Sequence, residues 1–157
     1  MVDDSTRQYI QAKSAQFVAE CPWFSLRKAS RVATQLSNDL LQSSGLRITQ
    51  LAVLVMVAVL ESPQVTELAS ELVMDHSTLS RNLKPLERQG LIETSPGKDR
   101  RTRVVLLTQK GEETLAQALP LWEKAKVALG KLFGEEHVAV VLGMVDALSS
   151  ISPDDLT

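Results

Sequence analysis

Asp99-Arg100-Arg101-Thr102-Arg103-Val104-Val105-Leu106-Leu107-Thr108-Gln109-Lys110-Gly111 is the stretch that decides how this chain is read. Its first residues are too charged to pack inside a core. An apolar, β-branched run follows, of the kind that suits a strand. Thr108 and Gly111 then mark a place where a new helix can begin. Just upstream, Ser77-Thr78-Leu79-Ser80-Arg81-Asn82-Leu83-Lys84 has helical spacing and one basic face. A basic helix is therefore followed by a charged hairpin.

The hairpin needs a first strand, and Leu91 to Thr94 supplies one, with Ser95-Pro96-Gly97 opening the loop towards Val104–Leu107. Upstream, Ser77 to Gln89 reads as a helix ended by Gly90. Met74-Asp75-His76 reads as a turn, and Thr66 to Val73 as a short helix capped by Thr66. Thr49 to Glu61 is apolar almost all round and stops before Pro63, which predicts a buried helix. From Phe24 to Ser43, Leu26, Ala29, Val32, Ala33, Leu36 and Leu40 fall at helical spacing, with Gly45 as the stop. Residues 1–20 are polar with some helical spacing and predict a frayed helix, interrupted by Pro22. Beyond the hairpin, Thr108 is placed to cap a long helix towards Leu132, kinked at Pro120 and broken at Gly134. A last helix from Glu135 to Ser149 carries Val138, Val141, Leu142, Val145 and Leu148 on one stripe, with His137 in its first turn.

The 157 residues fit one domain with an added helical region. Aromatic residues are only 4%, so Leu, Val and Ala must do most of the packing, which favours helices. The acidic start, Met1-Val2-Asp3-Asp4, is unlike a signal peptide. The longest apolar run, Leu51 to Leu60, is too short to span a bilayer, so the expected location is cytoplasmic with no membrane partner. The single cysteine, Cys21, excludes an internal disulfide framework, and no Cys/His/Asp cluster has zinc spacing. No cofactor is expected. No nucleophile–base pair, phosphate-cradling Gly loop or carboxylate dyad is readable, so an enzyme is not expected.

The net charge of −2 hides a division. From Asp75 to Gly111 there are eight Lys/Arg against four Asp/Glu, a net of +4, and the remainder carries nine against fifteen, a net of −6. One basic segment in an acidic body is either a solvated charged face or a local anion-binding surface. The helical wheel favours the second. Ser77, Arg81, Lys84 and Arg88 share one face, and Leu79, Leu83 and Leu86 lie roughly opposite. The apolar stripe would dock on the preceding helices and the polar stripe would face out. A single helix fits the major groove of B-DNA, where Arg can bond guanine bidentately. Lys84 suits phosphate as a point charge, and Ser77 and Thr78 stand at a helix N-terminus, where free N–H groups favour phosphate. Pro85 removes a donor and predicts a bend. At the hairpin tip, Lys98, Arg100 and Arg101 suit a narrow minor groove, and Asp99 suits the role of holding an Arg fork in one direction.

Together these elements resemble the MarR family of transcription regulators. The resemblance is carried by Leu68-Ala69-x-x-Leu72, Ser77-Thr78-Leu79-Ser80-Arg81, Leu86-Glu87-Arg88-Gln89-Gly90-Leu91-Ile92, Asp99-Arg100-Arg101 and Leu107-Thr108-x-x-Gly111, so its specific part covers about residues 46 to 111. Leu119-Pro120-Leu121-Trp122 is a familiar run in the family's fifth helix. Pro85 departs from the pattern.

The resemblance implies a mainly α fold with a small β-hairpin wing. Residues 46–108 would form the winged helix-turn-helix, and residues 1–45 and 109–157 a helical dimerisation region. It implies a homodimer on double-stranded DNA with a pseudo-palindromic operator, acting as a repressor. The recognition helix would present Ser77, Thr78, Ser80, Arg81 and Lys84, and the wing Lys98, Asp99, Arg100 and Arg101, with Arg101 the foremost minor-groove residue. It also implies release by a small phenolic or anionic effector, whose walls would be Trp23, Phe24, Arg27, Arg31, Met56 and Trp122; ordinary packing is the alternative for these side chains. Some relatives sense hydroperoxides through one cysteine near the first dimer helix, which makes Cys21, near Arg27 and Lys28 in sequence, a candidate redox sensor. The other reading of a winged helix, a protein–protein interaction module, is disfavoured by the basic stripe and charged wing.

Overall fold

The computed structural model describes residues 2–97, 99 and 102–151. Seven helices and one hairpin run in the order α1 (Asp4–Glu20), α2 (Pro22–Leu41), α3 (Ile48–Leu60), α4 (Val65–Glu71), α5 (His76–Arg88), β1 (Ile92–Pro96), β2 (Arg103–Leu107), α6 (Gln109–Phe133) and α7 (Glu135–Ser149). A 3₁₀ turn, Gln42–Ser44, closes α2, and Gly45 leaves it with φ of 70°, a left-handed conformation that glycine adopts without a Cβ penalty. No single helix among the described residues is long and apolar enough to cross a membrane.

The core sits where α3, α5, the hairpin and the first half of α6 meet. Leu51, Leu54 and Val57 of α3 are buried against Leu79, Leu83 and Leu86 of α5, Ile92 and Val105 of the hairpin, and Leu115 and Ala118 of α6. The alternation expected of a half-buried strand is visible in Val105, fully buried between partly exposed neighbours. No charged or polar side chain is buried among the described residues. The outer helices differ: neither α1 nor α7 contributes a buried residue. Ile10, Phe17, Val141, Leu142 and Val145 remain exposed, so the α7 stripe read from the sequence exists but is uncovered within one chain.

Several boundaries differ from the sequence reading. The first helix is not a frayed fragment but spans Asp4–Glu20, because the Asp3 carboxylate accepts the Thr6 N–H at 2.7 Å and caps it. Helix α4 starts one residue earlier than expected. Its cap is Gln64, whose N–H donates to the Glu67 carboxylate at 3.2 Å, and not Thr66. His76 belongs to α5 and not to the turn before it, since Asp75 is the N-cap. As the sequence reading placed them, helices α5 and α6 run through Pro85 and Pro120, each of which removes one donor. The hairpin is longer than predicted at its tip end and starts one residue later at its base, at Ile92, with antiparallel pairing from Ile92↔Leu107 to Pro96↔Arg103.

Two local devices fix the parts that matter most. The first is the Asp75 cap. Its carboxylate accepts the Thr78 N–H at 2.8 Å, the Ser77 hydroxyl at 2.6 Å and the Thr78 hydroxyl at 2.7 Å. Bonds from the Ser77 side chain, then from the Thr78 side chain and backbone, stabilise the ionised form and hold this carboxyl well below the usual range. The second lies at the start of α6. Thr108 caps the helix through Gly111 N–H at 3.0 Å and also donates its hydroxyl to the Gly90 carbonyl at 2.6 Å. A Cβ on Gly111 would stand 1.9 Å from the Leu91 carbonyl oxygen, so only glycine allows α6 to approach the α5–β1 junction this closely.

Both devices make predictions. Gly111→Ala must push backbone away from backbone, and is expected to destabilise the fold by about 3 kcal/mol in urea unfolding. An unchanged urea midpoint would show that the approach is not a constraint. For Asp75, the folded-state pKa is depressed, so its contribution is present above the ordinary carboxylate value and is lost as pH falls through the folded value. The stability gap between the parent and Asp75→Asn is therefore expected to be full above about pH 4 and to shrink progressively in more acidic buffer. A gap that grows on acidification would contradict the assignment.

Candidate nucleic-acid interface

Helix α5 separates its two faces cleanly. Leu79 and Leu86 are fully buried and Leu83 nearly so, while Ser77, Arg81, Lys84 and Arg88 are exposed. Its angle to α4 is set by a turn in which the Met74 N–H reaches the Ala69 carbonyl at 2.9 Å and the Val73 N–H reaches that of Ser70 at 3.0 Å. This is a Schellman closure with Val73 at φ 50°, the position usually held by glycine. Val73 is solvent-exposed, so its branched side chain is kept for no core contact. The same closure ends α5, there with Gly90 at φ 69° and Leu91 N–H on the Leu86 carbonyl at 3.0 Å.

The sequence-predicted residues Ser77, Thr78 and Arg81 form one hydrogen-bonded group around Asp75. Arg81 donates through Nε to the Ser77 carbonyl at 3.3 Å and through Nη2 to the Thr78 hydroxyl oxygen at 3.1 Å. The chain from carboxylate to hydroxyl to guanidinium lays Arg81 along the first turn of α5. The Thr78 N–H, which the sequence reading leaves for a phosphate, is already bonded by Asp75. The hydroxyls of Ser77 and Thr78 donate to the same carboxylate, so each offers an outside partner its lone pairs only. Lys84 is exposed on the next turn and Ser80 is half-buried. Among the described residues Arg81, Lys84, Arg88 and Arg103 make no ion pair, so their charge is available to an external polyanion.

The wing stands beside this helix. Its second strand is held on both sides: Val105 N–H donates to the carbonyl of buried Pro63 at 2.9 Å, and Gln64 forms a bridge with Val104. At the base of the tip, Gly97 N–H donates to the Thr102 carbonyl at 2.9 Å, and Thr102 returns its N–H to the Asp99 carbonyl at 2.9 Å. Asp99 is exposed. Lys98, Arg100 and Arg101, expected in the wing, lie outside the described residues. Between α5 and the wing runs an open cleft, lined among others by His76, Ser80, Lys84, Glu87, Thr94 and Arg103. Sequence reasoning missed Asp75, Glu87, Thr94 and Arg103 as members of this surface. Asp75 was legible as an acidic residue three before an amide it can cap; Thr94 was not, because its partner depends on how the hairpin folds back.

The residues expected around an effector lie away from this face. Trp23, Phe24, Arg27 and Arg31 are exposed on α2, Met56 is partly buried on α3, and Trp122 stands exposed on α6 with the Lys126 ammonium 5.5 Å from its ring. Phe24 packs edge-on against Phe17 of α1 at 5.9 Å. Cys21 is half-buried at the joint between α1 and α2. His137 lies in the first turn of α7, as expected, with Nδ1 2.6 Å from the Phe133 carbonyl at the end of α6. No group of His, Cys, Asp and Glu fit to hold a metal occurs among the described residues.

A family model described as the MarR family matches residues 44–102, which run from the end of the 3₁₀ turn to the residue before β2. An uncharacterised HTH-type transcriptional regulator of Bacillus cereus is 32% identical over 98 residues, 62% of this chain and 65% of that protein. The transcriptional regulator HosA of Escherichia coli O111:H- is 36% identical over 88 residues, 53% of this chain and 64% of its own length. The chain thus spans just under two thirds of the curated relatives it matches. Among solved structures, the M. tuberculosis transcriptional regulator MosR in complex with DNA is 29% identical, with a TM-score of 0.71 over 84% of this chain and 100% of that one. With its helix-turn-helix, its hairpin wing and these matches, the chain is similar to MarR-family regulators, most specifically over residues 44–102.

Proposed function

We propose that this chain is a sequence-specific, double-stranded-DNA-binding regulator of transcription that works as a homodimer and represses. The observation that carries the reading is the exposed face of α5, where Arg81 is held along the helix by Thr78 and Asp75 and Lys84 stands one turn further on. A guanidinium already oriented loses less freedom on binding than a free one, which favours its use in reading a base edge. Arg81 would read the major groove and Lys84 a phosphate. The wing, with Arg101 foremost, would enter the flanking minor groove. MosR, similar over most of this chain, is described in complex with DNA, which supports the same role here.

The dimer is supported by the uncovered apolar surface. Phe17, Leu132, Phe133, Val141 and Leu142 are all more than half exposed, and exposed apolar patches of this extent mark interaction surfaces. In our reading α1, α2, the second half of α6 and α7 pair across a two-fold axis, and the two α5 helices meet half-sites about one helical turn apart. Release of DNA would follow a small phenolic or anionic ligand, or an oxidant acting at Cys21. The exposure of Trp23, Phe24 and Trp122 in one chain fits walls that the second copy completes.

Arg81→Ala is expected to weaken binding to the cognate duplex by about 1–3 kcal/mol and to relax preference at one base position. Arg101→Ala is expected to weaken binding while leaving thermal unfolding unchanged. Fluorescence anisotropy on duplexes from upstream of the chain's own reading frame measures both. If neither variant loses affinity, the α5 and wing assignments fall. Light scattering is expected to give twice the chain mass, 34 kDa against the 17.2 kDa monomer.

A further inference from the structure

Glu87 is a carboxylate in the wrong place for a phosphate-binding surface. It lines the cleft between α5 and the wing, in the company of the cations Lys84 and Arg103. It pairs with neither: among the described residues Glu87 forms no ion pair. Instead its Oε1 accepts the hydroxyl proton of Thr94, on the first wing strand. Among the described residues, every other side-chain bond of α5 stays on α5, on its own cap, or on Met74 before it. Among the described residues, Glu87–Thr94 is the side-chain hydrogen bond that joins the helix to the hairpin.

The remaining attachment of the hairpin is at its base and along its inner edge. Ile92 and Val105 are buried in the core, and Val105 N–H is bonded to Pro63. With the bridge between Gln64 and Val104, these contacts hold β2 to the Pro63–Gln64 segment. Thr94 is the middle residue of β1 and faces Val105 across the ladder, towards the tip from Ile92. A bond made at Thr94 therefore restrains the opposite strand, β1, and ties it to α5, where β2 is tied to the Pro63–Gln64 segment.

We propose that Glu87 is a positioning residue for DNA binding: through Thr94 it fixes the wing relative to α5, so that one docking event engages both. The inference rests on the DNA-binding reading above. A negative charge on this face repels phosphate, and its value lies in making the wing arrive at a set spacing from the helix. Loss of the tie leaves α5 intact but lets the wing adopt orientations in which its phosphate contacts are not made together with those of the helix.

The experiment compares the full chain with Thr94→Val, Thr94→Ser and Glu87→Gln. Each is titrated by anisotropy into a duplex from upstream of the chain's own reading frame and into a scrambled duplex, across a salt series. Thr94→Val keeps the shape and β-propensity of the side chain but loses the hydroxyl. It is expected to weaken binding to the upstream duplex about tenfold, with a salt slope shallower by about one to two phosphate contacts per dimer. Thr94→Ser restores the donor and is expected to return both quantities to parent values. Glu87→Gln keeps an acceptor and removes the charge, and is expected to retain the parent preference for the upstream duplex while binding the scrambled duplex more tightly. Thermal unfolding of each variant reports whether the fold persists; if Thr94→Val unfolds, Thr94→Ala, which also lacks the hydroxyl, carries the test with the same expected loss and the same overturning result. A Thr94→Val chain that is folded and has the parent affinity and slope overturns the proposal. So does a Thr94→Ser chain that behaves like Thr94→Val. A parent chain that prefers no duplex would overturn the DNA-binding reading itself, a result distinct from either.

Discussion

The close approach of α6 to the α5–β1 junction is the constraint on which the rest of this molecule depends. Gly111 sits where a Cβ would meet the Leu91 carbonyl oxygen, and that same oxygen accepts the Thr108 N–H at 3.1 Å. Thr108 and Lys110 add bonds to the carbonyls of Gly90 and Gln89. One short segment thus accepts the end of α5, supplies the start of the hairpin and seats the first turn of a 25-residue helix. In the proposed dimer, α6 is also an arm of the subunit interface. A rotation of that arm is delivered to α5 and the wing without an intervening flexible linker. Signal and DNA binding need this kind of rigid connection if a ligand at the interface is to change affinity at the operator.

Helix α5 serves two masters through its periodicity. Its apolar residues close the core and its polar residues face out, so burial fixes which side chains are open to an outside partner. Within the outer face, Asp75 has the larger part. Its carboxylate caps the helix and gathers Ser77, Thr78 and, through Thr78, Arg81. The anion-binding property of a helix N-terminus is here used internally, and in the proposed complex phosphate contact would fall to Lys84 and the wing, with Arg81 as the oriented reader.

Much of this is legible in the sequence. The order and number of helices, the hairpin and the polar face of α5 follow from spacing, because 3.6- and 2-residue periods are written directly in the positions of Leu and Val. The helix ends were less legible. Thr66 has the side chain of a cap, but Gln64 and Glu67 take that role because the bridge from Gln64 to Val104 fixes where the chain turns. Asp75 looked like a turn residue because a capping carboxylate and a turn carboxylate share the same sequence context. The Glu87–Thr94 tie was invisible, since nothing local pairs a helix residue with one seven positions on across a Gly90 reversal. The apolar stripe of α7 was legible as a stripe, yet its exposure depends on how the helices pack, which spacing does not record.

The central claim is that a small basic surface on an acidic chain grips DNA at defined sequences. The most direct test is the salt dependence of the unmodified chain's affinity for a duplex from upstream of its own reading frame, beside a scrambled duplex of equal length. The account predicts tighter binding to the first duplex, and an affinity for both that falls linearly on a log–log plot as salt rises, because phosphate contacts release counterions. An affinity that is indifferent to salt, or equal for the two duplexes at every salt concentration, would contradict it.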